Sequence, residues 1–276
     1  MIEKLQNIDR RIIFVLVLIG IALPLLNPIG LPVKITYTTQ AFYDTIDAIP
    51  DGSTIVMAVD YSPGAAPEVE PQCNAVARHL FYDKDVNVIF VSIVTTGPMF
   101  TEKLLDSIEG HDRVYGEDYV HLGYLAGEET AISAMAQGLT KAYPRDFYGT
   151  PTSDLPVLDG ITDVGSVDAF LVFTASEPSQ YVRQIEGKYG TPLGVGINAV
   201  IFTTNLPYLN SGQIFGIING LTGAAEYELL IGRPGIATAG MDALSATHLV
   251  VLFFIIAGNI VRFLGDSQKK NAKKEA

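Results

Sequence analysis

Cysteine is nearly absent: the 276 residues contain one, Cys73, and no tryptophan. A single cysteine excludes an internal disulfide framework and any CxxC metal or redox motif. Placed in a predicted helix, Cys73 reads as a small core residue. Histidine is scarce, with four residues, His79, His111, His121 and His248. None has the HExxH spacing that sets two imidazoles on one helical face. Basic residues are few as well: 18 Lys and Arg face 30 Asp and Glu, for a net charge of −12. Such a chain lacks the cationic surface that nucleic acid requires to displace its counterions. The GxGxxG and GxxxxGK[ST] loops that cradle phosphates do not follow any predicted strand. The GxSxG elbow of serine hydrolases is missing too. On these grounds no catalytic residue, no cofactor and no metal ion is expected.

What the sequence does have is apolar length. Hydrophobic residues make up 48% of it and the mean hydropathy is +0.29. Two runs account for the excess. Residues 12–33 carry no charge and a single side-chain amide, Asn27. Residues 244–264 have an apolar centre at Leu249–Ile260, with Arg262 able to snorkel. A bilayer core takes about 20 apolar residues of helix, so both runs are predicted to span. A cleaved signal peptide is the competing reading of the first run, but signal cores are shorter, about 7–15 residues, and end at small residues. Lys4, Arg10 and Arg11 against Glu3 and Asp9 give the leading flank +1. The trailing flank is +3, from Arg262, Lys269, Lys270, Lys273 and Lys274 against Asp266 and Glu275. Removing these from −12 leaves −16 between the runs. Basic flanks stay in the cytoplasm. The expected order is therefore a cytoplasmic N-terminus (1–11), a first span (12–33), an extracytoplasmic domain (34–243), a second span (244–264) and a basic cytoplasmic tail (265–276).

Between the spans, strand and helix patterns alternate. Ser53–Asp60, Val86–Val94, Tyr119–Leu125, Val167–Thr174 and Leu193–Phe202 read as strands. Glu68–Phe81, Pro98–Ile108, Glu128–Ala142, Pro178–Tyr189 and Pro207–Leu230 read as helices. Continuous apolar strands separated by helices predict an α/β fold, a Rossmann- or flavodoxin-like parallel sheet covered on both faces. Pro67, Pro98, Pro178 and Pro207 fall where helices should begin, the position that tolerates a missing N–H. The stretch Tyr143–Ser166 is rich in Gly and Pro. A connection that long is expected to be functional or to touch a neighbour.

Ligands of such sheets bind at the carboxyl ends of the strands. The candidates there are Asp60, Ser62, Thr95, Thr96, Ser176 and Asn205. Helix capping predicts the same residue types. The run Thr95–Pro98 could hold an anion on a helix N-terminus. Asp60, Glu68, Glu70 and His79 could gather a metal ion, or could be helix-start carboxylates favoured by the dipole. Gly212, Gly216, Gly220 and Ala224 recur every four residues. On one helix they would make a smooth stripe against which another backbone packs closely. That stripe predicts packing within the chain, on a second copy, or on another membrane subunit.

The segments DYSPGAAPEVEP (Asp60–Pro71), YGEDYVHLGYLAG (Tyr115–Gly127), LPYLNSGQIFGIINGLTGAAEYELL (Leu206–Leu230) and HLVVLFFIIAGN (His248–Asn259) resemble an uncharacterised prokaryotic family of two-span membrane proteins with an external Rossmann-like domain. The resemblance implies the architecture and brings no activity or site residue. The expected function is a non-catalytic, membrane-anchored subunit of an oligomeric complex, partnered by the bilayer and by copies of itself or other membrane subunits. The alternative is an anchored external sensor or solute-binding domain.

Overall fold

The computed structural model describes residues 10–108 and 110–275, with side chains over 11–108 and 110–263. The flanking charges at Glu3, Lys4 and Asp9 and those beyond Phe263 lie outside the described side chains. The chain divides into two compact units, Val33–Ala237 and the pair Met1–Pro32 with Thr238–Ala276.

The larger unit is an α/β domain on a six-stranded, all-parallel sheet. Its strands are β1 (Thr54–Asp60), β2 (Asn87–Ser92), β3 (Tyr119–Tyr124), β4 (Ala169–Thr174), β5 (Leu193–Ile197) and β6 (Gly216–Asn219), in the order β3-β2-β1-β4-β5-β6. This is the Rossmann-like arrangement the alternating pattern predicts. Side chains alternate across a strand, and in β1 the alternation feeds two cores. Ile55, Met57 and Val59 enter one and Val56 and Ala58 the other. Burial on both faces is why the strands read as unbroken apolar runs rather than alternating ones.

The connection Tyr143–Ser166 returns the chain from β3 at one edge to β4 beside β1. It is built from three short 3-10 turns, and Leu155, Val157, Leu158 and Val164 sink into the second core. The Phe147 N–H donates to the His121 carbonyl of β3 at 2.8 Å. The long segment thus covers an edge strand, a backbone row that otherwise invites pairing with another chain.

The predicted long helix Pro207–Leu230 does not form. Residues there make α9 (Phe202–Asn210), a turn, strand β6 and α10 (Gly220–Leu230). Pro207 lies inside α9 rather than at its start. Gly212, Gly216, Gly220 and Ala224 therefore share no helical stripe. Gly212 is in the turn at φ +77° and Gly220 opens α10 at φ +55°. Ala224 is buried in α10. Gly216 does admit a close backbone, but from a strand: a Cβ there would lie 2.5 Å from the Phe42 N and Cα. Phe42 belongs to α2 (Tyr37–Asp47), a helix absent from the sequence reading. Periodicity misled because the four-residue spacing runs across a turn, a strand and a helix, so no single element carries it.

The second unit is a pair of helices. The first, α1, covers Arg10–Leu26, 17 residues, and stops before Asn27 and Pro28. At 1.5 Å per residue that is about 25 Å, short of a hydrocarbon core of about 30 Å. The predicted span at 12–33 is thus helical only in its first part. The last helix, α11 (Ile236–Glu275), begins earlier and ends later than the predicted 244–264. Among the described residues one helix is long and apolar enough to cross a membrane, Ile236–Phe263, rather than the two expected. The helices run antiparallel: Gly20 faces Val250 and Ala246, whereas Ile29, Gly30 and Leu31, further along the chain, reach back to Asp242. A single Asp242 carboxylate accepts those three backbone N–H groups at 2.7, 2.8 and 2.9 Å. The remaining faces are apolar and exposed, including Phe14, Leu18, Leu23, Leu252, Phe253 and Ile256.

Candidate functional site

In this strand order β1 is flanked by β2 on one side and β4 on the other. The loops leaving β1 and β4 turn to opposite faces and part, which opens a crevice at their carboxyl ends. A cleft of about 310 Å³ lies there, lined by Asp60, Ile93, Val94, Glu128, Thr174, Ser176, Glu177, Gln180 and Tyr181.

Asp60 ends β1 and is 4% exposed. Its Oδ1 accepts the Ile93 N–H at 2.8 Å and lies 3.0 Å from Ser92 Oγ. Its Oδ2 accepts the Tyr181 hydroxyl. Burial pushes the Asp60 carboxyl above the ordinary carboxylate range, and the Tyr181, Ile93 and Ser92 hydrogen bonds pull it partly back. Burial also raises the Tyr181 hydroxyl well above the usual tyrosine range, aided by the Asp60 charge. Tyr181 comes from α7 (Ser179–Tyr181), which runs directly into a π-helical turn at Val182–Glu186. Such turns widen a helix locally and recur at functional sites.

The rim is acidic. Glu128 precedes α5 (Glu129–Gln137) with φ +49°, the one non-glycine positive φ among the described residues. That geometry costs on the order of 1 kcal/mol or more. Glu177 follows β4 and accepts from Thr204 Oγ1 at 2.7 Å and from Asn205 Nδ2 at 3.2 Å. No lysine or arginine is among the lining residues. Arg183, just beyond Tyr181, pairs with Glu129 at 2.9 Å.

Of the residues proposed from sequence, Asp60 and Ser176 line this cleft. Asn205, in α9 and 0% exposed, stands behind Glu177 and also donates to the Ile201 carbonyl at 2.7 Å. Ser62, Thr95 and Thr96 are not among the lining residues. The Ser62 carbonyl accepts the Ala65 and Ala66 N–H groups at 3.0 Å, forming the turn into α3 (Ala66–Tyr82). Thr95 is exposed. Thr96 precedes α4 (Gly97–Ser107) but does not cap it; its hydroxyl donates to the Tyr61 carbonyl at 2.9 Å. Glu128, Glu177, Gln180 and Tyr181 escaped the sequence reading. The one signal for them is position, since each follows closely on a strand's carboxyl end.

The grouping Asp60, Glu68, Glu70 and His79 is dispersed. Glu68 accepts the Ala199 N–H at 3.0 Å and Glu70 pairs with Lys103 at 2.6 Å. His79 Nδ1 lies 2.8 Å from the Tyr227 hydroxyl and its Nε2 3.5 Å from Asp47. Among the described residues no three His, Cys, Asp or Glu side chains converge on a metal position. Comparison with protein-family models, with curated proteins and with solved structures finds no match to this chain.

Proposed function

We propose that this protein is a membrane-anchored binding domain that takes a small polar ligand in the cleft between β1 and β4. The single observation that carries the reading is the position of that cleft. It sits where the sheet order reverses, the place where open α/β sheets bind ligands. Its floor is a buried carboxyl held by three neighbours rather than a catalytic nucleophile beside a base. A thermal-unfolding screen of the detergent-solubilised chain with sugars, amino acids, nucleotides and amines tests it. A ligand of the folded state raises the melting temperature by mass action, and Ser176→Phe, which fills the cleft, should abolish the rise. A rise that survives Ser176→Phe would place binding elsewhere.

Anchorage follows from the helix pair. Among the described residues α11 alone has the length to span, and α1 meets it at Gly20. The side of the two chain ends is inferred from their basic flanks, +1 and +3, which stay in the cytoplasm. The domain then lies on the opposite, extracytoplasmic side.

Assembly into an oligomer is a second reading, favoured by one patch. Met99, Tyr124, Phe147 and Tyr148 are all exposed large side chains, and Phe147 and Tyr148 sit beside β3 with ring centroids 5.3 Å apart. Aromatic residues and methionine are enriched at interfaces. Size-exclusion with light scattering in mild detergent tests this: Tyr148→Glu should lower the mass of an assembly, and a wild-type monomer removes the reading.

A further inference from the structure

The α/β domain, Val33–Ala237, is entered at one end of its chain and left at the other, and both ends are fastened to one helix. Glu226 of α10 is 1% exposed, and its Oε2 accepts the Thr36 N–H at 3.1 Å and the Thr36 hydroxyl at 2.7 Å. Glu228, 4% exposed, accepts the Gly235 N–H at 2.8 Å and the Ala237 N–H at 3.0 Å. A buried carboxylate stripped of its donors is costly, so entry and exit are fixed parts of the domain rather than loose linkers. Their position on the sheet follows from the next contact. Arg233 pairs with Asp83 at 2.6 Å, and Asp83 lies in the short turn between α3 and the start of β2. The exit is therefore at the amino ends of the strands, whereas the cleft of Asp60 and Ser176 is at their carboxyl ends.

The side chains beside these two points are those of a membrane–water interface. Tyr37 and Ile236 are each 66% exposed, next to Thr36 and Gly235. Lys34 is exposed, and the Arg233 guanidinium lies over the Tyr82 ring at 5.0 Å. Tyrosine concentrates at the headgroup level, where its ring meets the acyl boundary and its hydroxyl meets water. Lysine and arginine lay their stems on apolar surface and keep their charge wet. Ile236 is also the first residue of the segment with the length to span, Ile236–Phe263, so this face is continuous with the part of the chain that enters lipid. Resting on the anchorage proposed above, we propose that the domain surface around Tyr37, Arg233 and Ile236 docks on the headgroup layer of the bilayer. The cleft then opens on the opposite side, to water.

The chain has no tryptophan, so one substitution supplies a sole fluorescent reporter. The full chain is placed in phosphatidylcholine nanodiscs, plain, with a nitroxide on the headgroup, or with brominated acyl chains. Tyr37→Trp reports the proposed face. Val200→Trp, at a position 81% exposed just past the carboxyl end of β5, reports the far side. Phe253→Trp, within the spanning segment, reports anchorage. All three positions are exposed, and thermal unfolding checks that each variant keeps the fold. The expected result is Tyr37→Trp emission to the blue of Val200→Trp and quenched by the headgroup nitroxide, with Val200→Trp unquenched and Phe253→Trp quenched by the brominated chains. Lys34→Trp, at the same entry, should agree with Tyr37→Trp and stands in for it if that variant unfolds. If Phe253→Trp is quenched while Tyr37→Trp is not, or Val200→Trp is quenched as strongly, the chain is anchored and the proposed face is wrong. If Phe253→Trp escapes the brominated chains, the anchorage itself fails and the docking face falls with it.

Discussion

Replacing Gly216 by alanine is the sharpest test of the packing around β6. An added Cβ would stand 2.5 Å from Phe42 N and Cα and 2.6 Å from Phe42 Cβ. The first two are backbone atoms of α2 and the Cβ is fixed to them, so no flexible side chain can swing away. Restoring an ordinary contact of about 3.5 Å requires α2 to lift by about 1 Å from the sheet. Phe42 is 0% exposed and touches Phe215 and Tyr227 at centroid distances of 5.3 and 5.8 Å, so lifting it loosens an aromatic cluster. Overpacking costs about 1–3 kcal/mol, and the gain in chain stiffness from Gly to Ala returns up to about 1 kcal/mol. A net loss of about 2 kcal/mol should lower the melting temperature by about 4–8 °C for a domain of this size. The assay is thermal unfolding of the full chain followed by circular dichroism, with oligomer mass measured in parallel. If Gly216→Ala left melting unchanged but altered the mass, the residue would face another subunit and the placement of α2 on β6 would be wrong.

Further expectations follow from single residues. Asp60 has a raised carboxyl in the fold, so native stability is lost as pH rises from the free-carboxyl range through the folded value. Asp60→Asn should therefore stabilise the protein at pH 7 and lose that advantage near pH 3, as read by denaturant titration at both pH values. His121 runs the other way. It is buried beneath Phe147 at a ring distance of 4.4 Å, and burial lowers its pKa to about 4. The neutral form is the folded one, so stability should fall as pH drops from about 6.5 towards 4, by up to about 3 kcal/mol. His121→Gln should flatten that slope, and an unchanged slope would assign the acid sensitivity to another group. Asp242→Asn weakens the acceptor for Ile29, Gly30 and Leu31 and should speed tryptic cleavage at Lys34, followed by mass spectrometry.

The strands were legible because both faces of the sheet are covered, so five of six announce themselves as short, mainly apolar runs between helical patterns. β6 is only Gly216–Asn219, and its GIIN sits inside a glycine spacing that mimics a helix. Nothing local marks it; pairing with β5 decides it. α2 went unseen because its sequence, YTTQAFYDTID, has five threonine and aspartate residues in eleven and little helix preference. Packing of Phe42 and Ile46 supplies what propensity does not. The cleft was legible in part. Asp60 and Ser176 follow directly on apolar strands, so the rule of strand ends finds them. Glu128 and Tyr181 reach the cleft through a positive φ and from just ahead of a π turn, neither of which composition reveals. Thr96 and Ser62 had the right type and the wrong direction.

Labelling of Ser176→Cys in intact cells with a membrane-impermeant maleimide tests the account most directly. Cys73 is fully buried, so the wild type supplies a silent background, while position 176 lies at an exposed edge of the cleft. Modification without lysis, slowed by a ligand that raises the melting temperature, is what an anchored external binding domain predicts. Modification that begins only once the cells are broken would put the domain on the wrong side of the membrane.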